Sequence, residues 1–443
     1  MRDIALALVV FGLLPFVLKR PFWGILMMAW LGYMNPHRLC YGFMYNMPVV
    51  QIVVIATLIG MLNSKEAKRM VWSREITVLV SFVVWMGITT TQAFYFDAAW
   101  EQYIKVIKIQ ILTFMTLVML TSKDRVRMFI WVVVLSLGYY GAKGGVFTLA
   151  KGGSERVWGP VGTFIGGNNE LALALVMTIP LMRYLHLQET HKLVKLGLLG
   201  GILLSVLSAV GSQSRGALLG LAVMGTMFWL KSRNKIATAL LVAVAVMAVI
   251  AIMPSSWYER MNTINTYDSD ASALGRINAW WTAWNVASAR FTGGGFEMWS
   301  GSVFGAFAPN PSAVHDAHSI YFEVLGEHGF VGLALFLSLL ALTWMKCSRV
   351  IRRAKRNPAD SWARDLAAMI QVSLAGYMAA GAFLGLAYFD YLYHLVAVVV
   401  VLDRLVGRSA PANASPVGPA LAATARPGAE LTGASARRLK PGA

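Results

Sequence analysis

An all-α polytopic membrane protein, with about 12–13 membrane-spanning helices and one large outer loop domain, is the fold class this sequence predicts. Three observations predict it. Of 443 residues, 57% are hydrophobic and only 14% are charged, a larger apolar share than a soluble core needs. The apolar runs are about 15–20 residues long, close to the ~20 that a helix needs to cross ~30 Å of hydrocarbon. The runs are also continuous rather than alternating, which indicates helices and not the strands of a barrel.

In chain order the runs fall at 4–18, 21–34, 48–63, 76–94, 104–121, 128–142, 169–186, 195–211, 216–231, 237–253, 330–345, 366–386 and 391–403. Lys19-Arg20-Pro21 splits the first two, which form either a hairpin or one broken element, so the side of the N-terminus stays open. The opening Met1-Arg2-Asp3-Ile4 precedes an apolar run, but Leu18-Lys19-Arg20-Pro21 stands where a signal peptide would have its small-residue cleavage site. The segment is therefore read as uncleaved.

Positive clusters orient the rest. Lys65/Lys68/Arg69/Arg74, Lys123/Arg125/Arg127, Lys192/Lys195, Lys231/Arg233/Lys235 and the stretch from Lys346 to Arg356 share one side if the runs alternate. By the positive-inside rule that side is cytoplasmic. The outer side then receives 35–47, 95–103, 143–168, 212–215, 254–329 and 387–390. Four regions are expected: spans with short loops over 1–253, a large outer loop over 254–329, further spans over 330–406, and a disordered tail over 407–443 rich in Ala, Pro and Gly.

The same clustering accounts for the net charge of +18. Lys and Arg sit between apolar runs as orientation signals do, which argues against nucleic acid as a partner. Cys40 and Cys347 fall on opposite sides and predict no disulfide and no cysteine metal cluster. Lys105 and Lys108 sit at the edge of a run, where only an edge-of-membrane role suggests itself.

The outer loops carry the candidate chemistry. Lys143-Gly144-Gly145 and Lys151-Gly152-Gly153 flank a short run ahead of Arg156-Val157-Trp158-Gly159-Pro160, a texture typical of bending loops. Arg215 lies in Gly211-Ser212-Gln213-Ser214-Arg215-Gly216, outward-facing against the topology bias and bracketed by small residues that let a bulky anion approach. Arginine suits bidentate phosphate contacts. Arg276 is expected to open a helix over 276–290 bearing Trp280, Trp281 and Trp284, with Gly293-Gly294-Gly295 ending it. An anion there gains from the helix N-terminus. His318 is a candidate general base. His315, three residues earlier, could share one helical face with it, so a metal pair has to be weighed; no third ligand of comparable strength is evident. Each residue alone has a plain alternative: a snorkelling arginine, a solvated loop arginine, a hydrogen-bonded structural histidine. Asp268-Ser269-Asp270 reads as a solvated turn rather than a metal-binding DxD. The loop from Asn35 to Met47 has no acidic residue, against transferases that place a metal-binding carboxylate there.

Taken together, these stretches resemble the O-antigen ligase and polymerase superfamily. The resemblance rests on Gly166-Gly167-Asn168-Asn169-Glu170-Leu171-Ala172, Ser214-Arg215-Gly216, Gly275-Arg276, Gly293-Gly294-Gly295-Phe296, and His318 with Glu327-His328-Gly329. Met34-Asn35-Pro36-His37-Arg38 and Ala142-Lys143-Gly144-Gly145-Val146 are similar to a ligase-like branch that includes O-glycosylation ligases. The resemblance implies a metal-independent glycosyltransferase without a cofactor, at the periplasmic face of a bacterial inner membrane. Its donor would be a glycan on undecaprenyl pyrophosphate and its acceptor the lipid A–core. Arg215 and Arg276 would bind the pyrophosphate and His318 would be the base, with His315 as the alternative base; His315, Arg156 and Lys143 are the candidate supporting residues, and whether Arg156 or Lys143 helps with phosphate stays open. One departure is Ser319, where many members have Asn after the histidine. A polymerase or a protein O-oligosaccharyltransferase with the same donor, and a lipid or polysaccharide transporter, are the alternatives.

Overall fold

The computed structural model describes residues 1–66, 70–232, 234–262 and 271–408. Lys68, Arg69, Arg233, the Asp268-Ser269-Asp270 turn and the tail beyond 408 lie outside these described residues.

Every predicted apolar run is a helix. In order they are α1 Arg2–Lys19, α2 Pro21–Met34, α3 Val49–Asn63, α4 Arg74–Thr91, α5 Phe96–Met119, α6 Lys123–Ala150, α7 Asn168–Gln188, α8 Lys192–Gly211, α9 Arg215–Lys231 and α10 Lys235–Ile252. The segment expected as a large loop folds into α11 Ser255–Asn262, α12 Ala271–Ala289 and α13 Gly301–Phe307. The chain closes with α14 Ile320–Ala354, α15 Ser361–Gly381 and α16 Asp390–Arg408. The described residues contain no strand. Five helices, α5, α6, α7, α8 and α14, are long and apolar enough to cross a membrane, and the chain is an all-α polytopic membrane protein.

The central helices are apolar all round, as burial on every side requires. From Leu171 to Met182 every side chain of α7 is buried, and so is Leu392 to Leu402 of α16. The perimeter helix α10 instead exposes Leu240, Val242, Val244, Val246 and Met247, the surface expected against lipid tails. Pro21 is the first residue of α2 and separates α1 from α2 as two helices, since the N–H it lacks is one that a helix start leaves unbonded within the helix.

Polar contacts sort the helix ends into two groups that match the alternation of the runs. At one end Arg125 pairs with Glu66 at 2.8 Å, Arg127 with Glu189 at 3.0 Å, Lys346 with Glu75 at 2.6 Å and Arg353 with Asp403 at 2.7 Å. At the other end Phe94 N donates to Gly294 O at 2.8 Å and Asn168 Nδ2 to Ser212 O at 2.8 Å. The loops that carry Arg215 and His318 lie at this second end.

Two expectations are corrected. Lys143-Gly144-Gly145 is not loop: α6 continues to Ala150. Its glycines let α6 and α8 touch backbone to backbone, since a Cβ on Gly145 would meet the Leu204 backbone and one on Gly144 the Ser208 side chain. Small residues make close helix contacts in a membrane, and that use is indistinguishable by composition from a turn. Residues 96–103, expected in an outer loop, are the first two turns of α5.

Candidate active site

The Arg215 turn is built from hydrogen bonds. Gln213 takes a left-handed backbone, φ 56°, which reverses the chain between α8 and α9. Its Nε2 donates to Gly153 O at 3.2 Å, and its Oε1 accepts from Arg156 Nε at 3.4 Å. Val157 N donates to Gly211 O at 3.1 Å. Ser214 caps α9 by accepting from Ala217 N at 3.2 Å, so Arg215 is the first helical residue. A guanidinium there adds to the unsatisfied amides of the helix N-terminus, and both favour an anion.

Arg276 stands elsewhere than expected. The helix starts at Ala271, so Arg276 lies in its second turn rather than at its opening, one turn ahead of Trp280 on the same face. The Trp280 ring stacks on Phe322 with centroids 4.9 Å apart and lies 6.2 Å from Phe383. Its Nε1 donates to Ala317 O at 2.8 Å and so fixes the residue before His318. A Cβ on Gly216 would fall 3.2 Å from Phe383 Cβ, which places the start of α9 against the same phenylalanine. Phe383 and Trp280 are thus the pivot on which the elements carrying Arg215, Arg276 and His318 converge. Trp281 and Trp284 are exposed, as an interfacial helix predicts.

His318 has φ 42°, a left-handed conformation that a non-glycine residue adopts only where its surroundings impose it. Residues 313–318 are not helical, so His315 and His318 do not share a helical face. His315 instead packs over Gly275, beside Arg276. The His318 imidazole is held below its ordinary pKa, first by burial and then by the Arg276 guanidinium, with Asp316 opposing and His315 adding to the effect. A half-buried imidazole kept neutral is ready to accept a proton. The described residues contain no group of three His, Cys, Asp or Glu side chains placed to hold a metal ion. Ser319 is buried with its Oγ unbonded, so the residue after the histidine faces the interior.

Behind this segment is an interlock that sequence reasoning did not assemble. Gly294 N donates to Gly326 O at 2.8 Å and Gly295 N to Glu327 O at 2.9 Å. These bonds satisfy carbonyls freed where α14 breaks at Gly329, φ 65°. Gly293 passes so close that a Cβ on it would fall 2.6 Å from Gly329 N. Glu327 accepts from Tyr388 Oη at 2.6 Å, Glu297 N at 3.3 Å and Trp299 Nε1 at 3.4 Å. His328 bonds Thr89 Oγ1 at 2.7 Å. Gly293-Gly294-Gly295 and Glu327-His328-Gly329 are therefore two halves of one clasp, and α12 ends four residues before the glycines. Glu323, one turn past Ser319, accepts from Ala387 N at 3.2 Å and ties the start of α14 to the loop before α16.

Of the supporting residues, Arg156 and His315 flank the cluster. Lys143 is an exposed residue within α6, and no contact joins it to the cluster among the described residues.

Comparison with known families finds two matches along the chain. Residues 193–337 match the family model described as O-antigen ligase, and they include Arg215, Arg276 and His318. Residues 1–190 match a family of unknown function. Among curated proteins none matches the chain. The first match supports a ligase- or polymerase-type role in glycan processing.

Proposed function

We propose that this chain, whose residues 193–337 match the O-antigen ligase family model, is an inner-membrane glycosyltransferase of the O-antigen ligase type. It transfers a glycan en bloc from undecaprenyl pyrophosphate to a hydroxyl of lipid A–core at the periplasmic face. The observation that carries the reading is His318: a half-buried imidazole on a left-handed backbone, beside Arg276, with its neighbour Ala317 fixed by Trp280.

The acceptor oxygen attacks the anomeric carbon, and its proton passes to His318. The bond from that carbon to the pyrophosphate oxygen breaks, and the lipid pyrophosphate departs with the added negative charge. Arg215 and Arg276 hold that charge, which is the role preorganised cations play in a water-poor site. His318 would supply about 10²–10⁴ in rate as general base. Attack opposite the leaving group inverts the anomeric centre, which comparison of donor and product anomers tests.

The test is transfer by purified protein from undecaprenyl-pyrophosphate glycan to lipid A–core in the presence of EDTA. Product on the core supports the reading. Elongation of the lipid-linked glycan without core product would make the chain a polymerase, and transfer to protein alone an oligosaccharyltransferase. No product even with magnesium restored would leave transport as the reading to pursue.

A further inference from the structure

A cavity of about 580 Å³, lined by polar and apolar groups, is formed where α2, α3 and α5 meet the loops ahead of α7 and α16. Arg38, Lys105, Gln102, Asn46, Tyr45 and Asp390 are among the residues that line it. Nearly all of the lining comes from residues 1–190, the part that matches a family of unknown function. Lys105, unexplained in the sequence, has its place here. Among the described residues neither Arg38 nor Lys105 is in an ion pair; Arg38 lies over the Tyr45 ring at 4.8 Å. The Nδ1 of His37, which also lines the cavity, is buried without a hydrogen-bond partner.

Two chain segments link the cavity to the cluster. The loop that bonds Gln213 through Arg156 folds back on itself, Gly159 N donating to Gly166 O at 3.1 Å, and its tip at Gly162–Ile165 lines the cavity. Phe383 packs against the start of α9, and six residues later Phe389 and Asp390 line the cavity. The cavity is thus tied to the cluster through both segments, while its lining includes none of Arg215, Arg276 and His318.

We propose that this cavity is the acceptor site and that it binds an anionic sugar, one bearing phosphate or carboxylate. The inference rests on the transferase reading above. Two cations against one carboxylate leave the lining positive, which suits an anion. The amides of Asn46 and Gln102 and the Asp390 carboxylate offer partners to sugar hydroxyls, and Tyr45 offers a flat apolar face. The donor's own charge already has Arg215 and Arg276, so a second pair of cations on a separate wall serves the other substrate.

Binding is measured on the full chain in lipid nanodiscs with two probes, deacylated phosphorylated core oligosaccharide and the same oligosaccharide after phosphatase treatment. A uronate-bearing oligosaccharide as a third probe separates phosphate from carboxylate recognition. The wild-type chain should bind an anionic probe at least ~10-fold more tightly than the neutral one, the size of one lost charge-assisted contact. The Arg38→Gln/Lys105→Gln double variant should lose that preference, Arg38→Lys/Lys105→Arg should keep it, and Arg215→Gln should keep it too. No preference in wild type, or preference retained in the Gln double variant, overturns the proposal. Preference lost in Arg215→Gln but not in the Gln double variant also overturns it, by placing the anion in the donor cluster. Wild-type preference without any glycan transfer would instead count against the transferase reading alone.

Discussion

The two walls of the candidate site are held by different physics. Arg215 stands on a wall of side-chain and backbone hydrogen bonds, through Gln213, Asn168, Val157 and the Ser214 cap. Arg276 and His318 stand on a wall of stacked rings and touching glycine backbones, through Trp280, Phe322 and the clasp of residues 293–295 with Gly329. Each bond of the first wall contributes modestly and can be lost singly. The second depends on shape, and in a close-packed interior one added methyl group is felt. Under the proposed transfer, the step that needs an exact proton position falls on the wall that tolerates least.

The largest expected effect is on that second wall. His318→Ala should lower transfer by ~10²–10⁴ while the melting temperature stays near wild type. Near-normal transfer would remove the base from this wall and with it the functional half of the comparison. Arg276→Gln and Arg215→Gln should each lower transfer by about 10²–10³, the scale of one lost charge-stabilising group. Their pH profiles should differ. His318 acts when neutral and is lost as pH falls through its folded pKa, which burial and then Arg276 hold below 6.5. Removing Arg276 lets that pKa rise, so the acidic limb of the residual activity should move to higher pH. Arg215 is not among the groups that shift His318, so Arg215→Gln should leave the limb in place. Equal shifts in both variants would mean that the two arginines act on the histidine alike.

A pair of glycines sharpens the contrast in stability. Gly152 and Gly293 both have positive φ, 55° and 69°, but a Cβ meets nothing within 4 Å at Gly152 and backbone at 2.6 Å at Gly293. Gly152→Ala should cost only the left-handed strain, ~1–2 kcal/mol. Gly293→Ala should add overlap that backbone cannot relieve, for more than ~3 kcal/mol in all. Thermal unfolding of the two variants in the same detergent measures the difference, and equal losses would show that the clasp is slack.

Sequence and structure part company at the same boundary between the walls. Apolar run length was enough for the spanning helices, because a helix in lipid must satisfy its own backbone whatever its neighbours are. The Arg215 turn was legible too, as the short polar break at 212–215 between two apolar runs. The glycines were not. Gly144-Gly145 and Gly293-Gly294-Gly295 look alike as text, yet one serves a helix contact and the other clasps a broken helix. Which partner approaches a glycine is decided by tertiary packing, and periodicity carries no trace of it. Glu323 and Glu327 were passed over for the same reason, because their hydrogen-bond partners lie 64 and 61 residues away in the chain. Arg276 was misplaced within its helix because the tryptophan spacing marks the body of the helix and not its start, which the structure describes at Ala271.

Trp280→Phe asks how finely the aromatic wall positions the base. Phenylalanine keeps a ring against Phe322 and loses the bond to Ala317 O. Transfer should fall about tenfold from misplacement of His318, with stability lower by ~0.5–1.5 kcal/mol for one hydrogen bond. A change in stability without a change in transfer would make the bond a packing contact only.

The smallest effect belongs to the polar wall. Ser214→Ala removes the cap that accepts from Ala217 N at 3.2 Å and should cost ~1 kcal/mol of stability. Arg215 should keep its place, because Ser212 is still held by Asn168, and Gln213 still bonds Gly153 and Arg156. Donor KM should therefore change less than about twofold, since the loss of one neutral contact among several leaves the others to fix the turn. A tenfold rise in donor KM would mean that the turn depends on its cap as sharply as the opposite wall depends on its glycines, and the two walls would then differ in materials but not in tolerance.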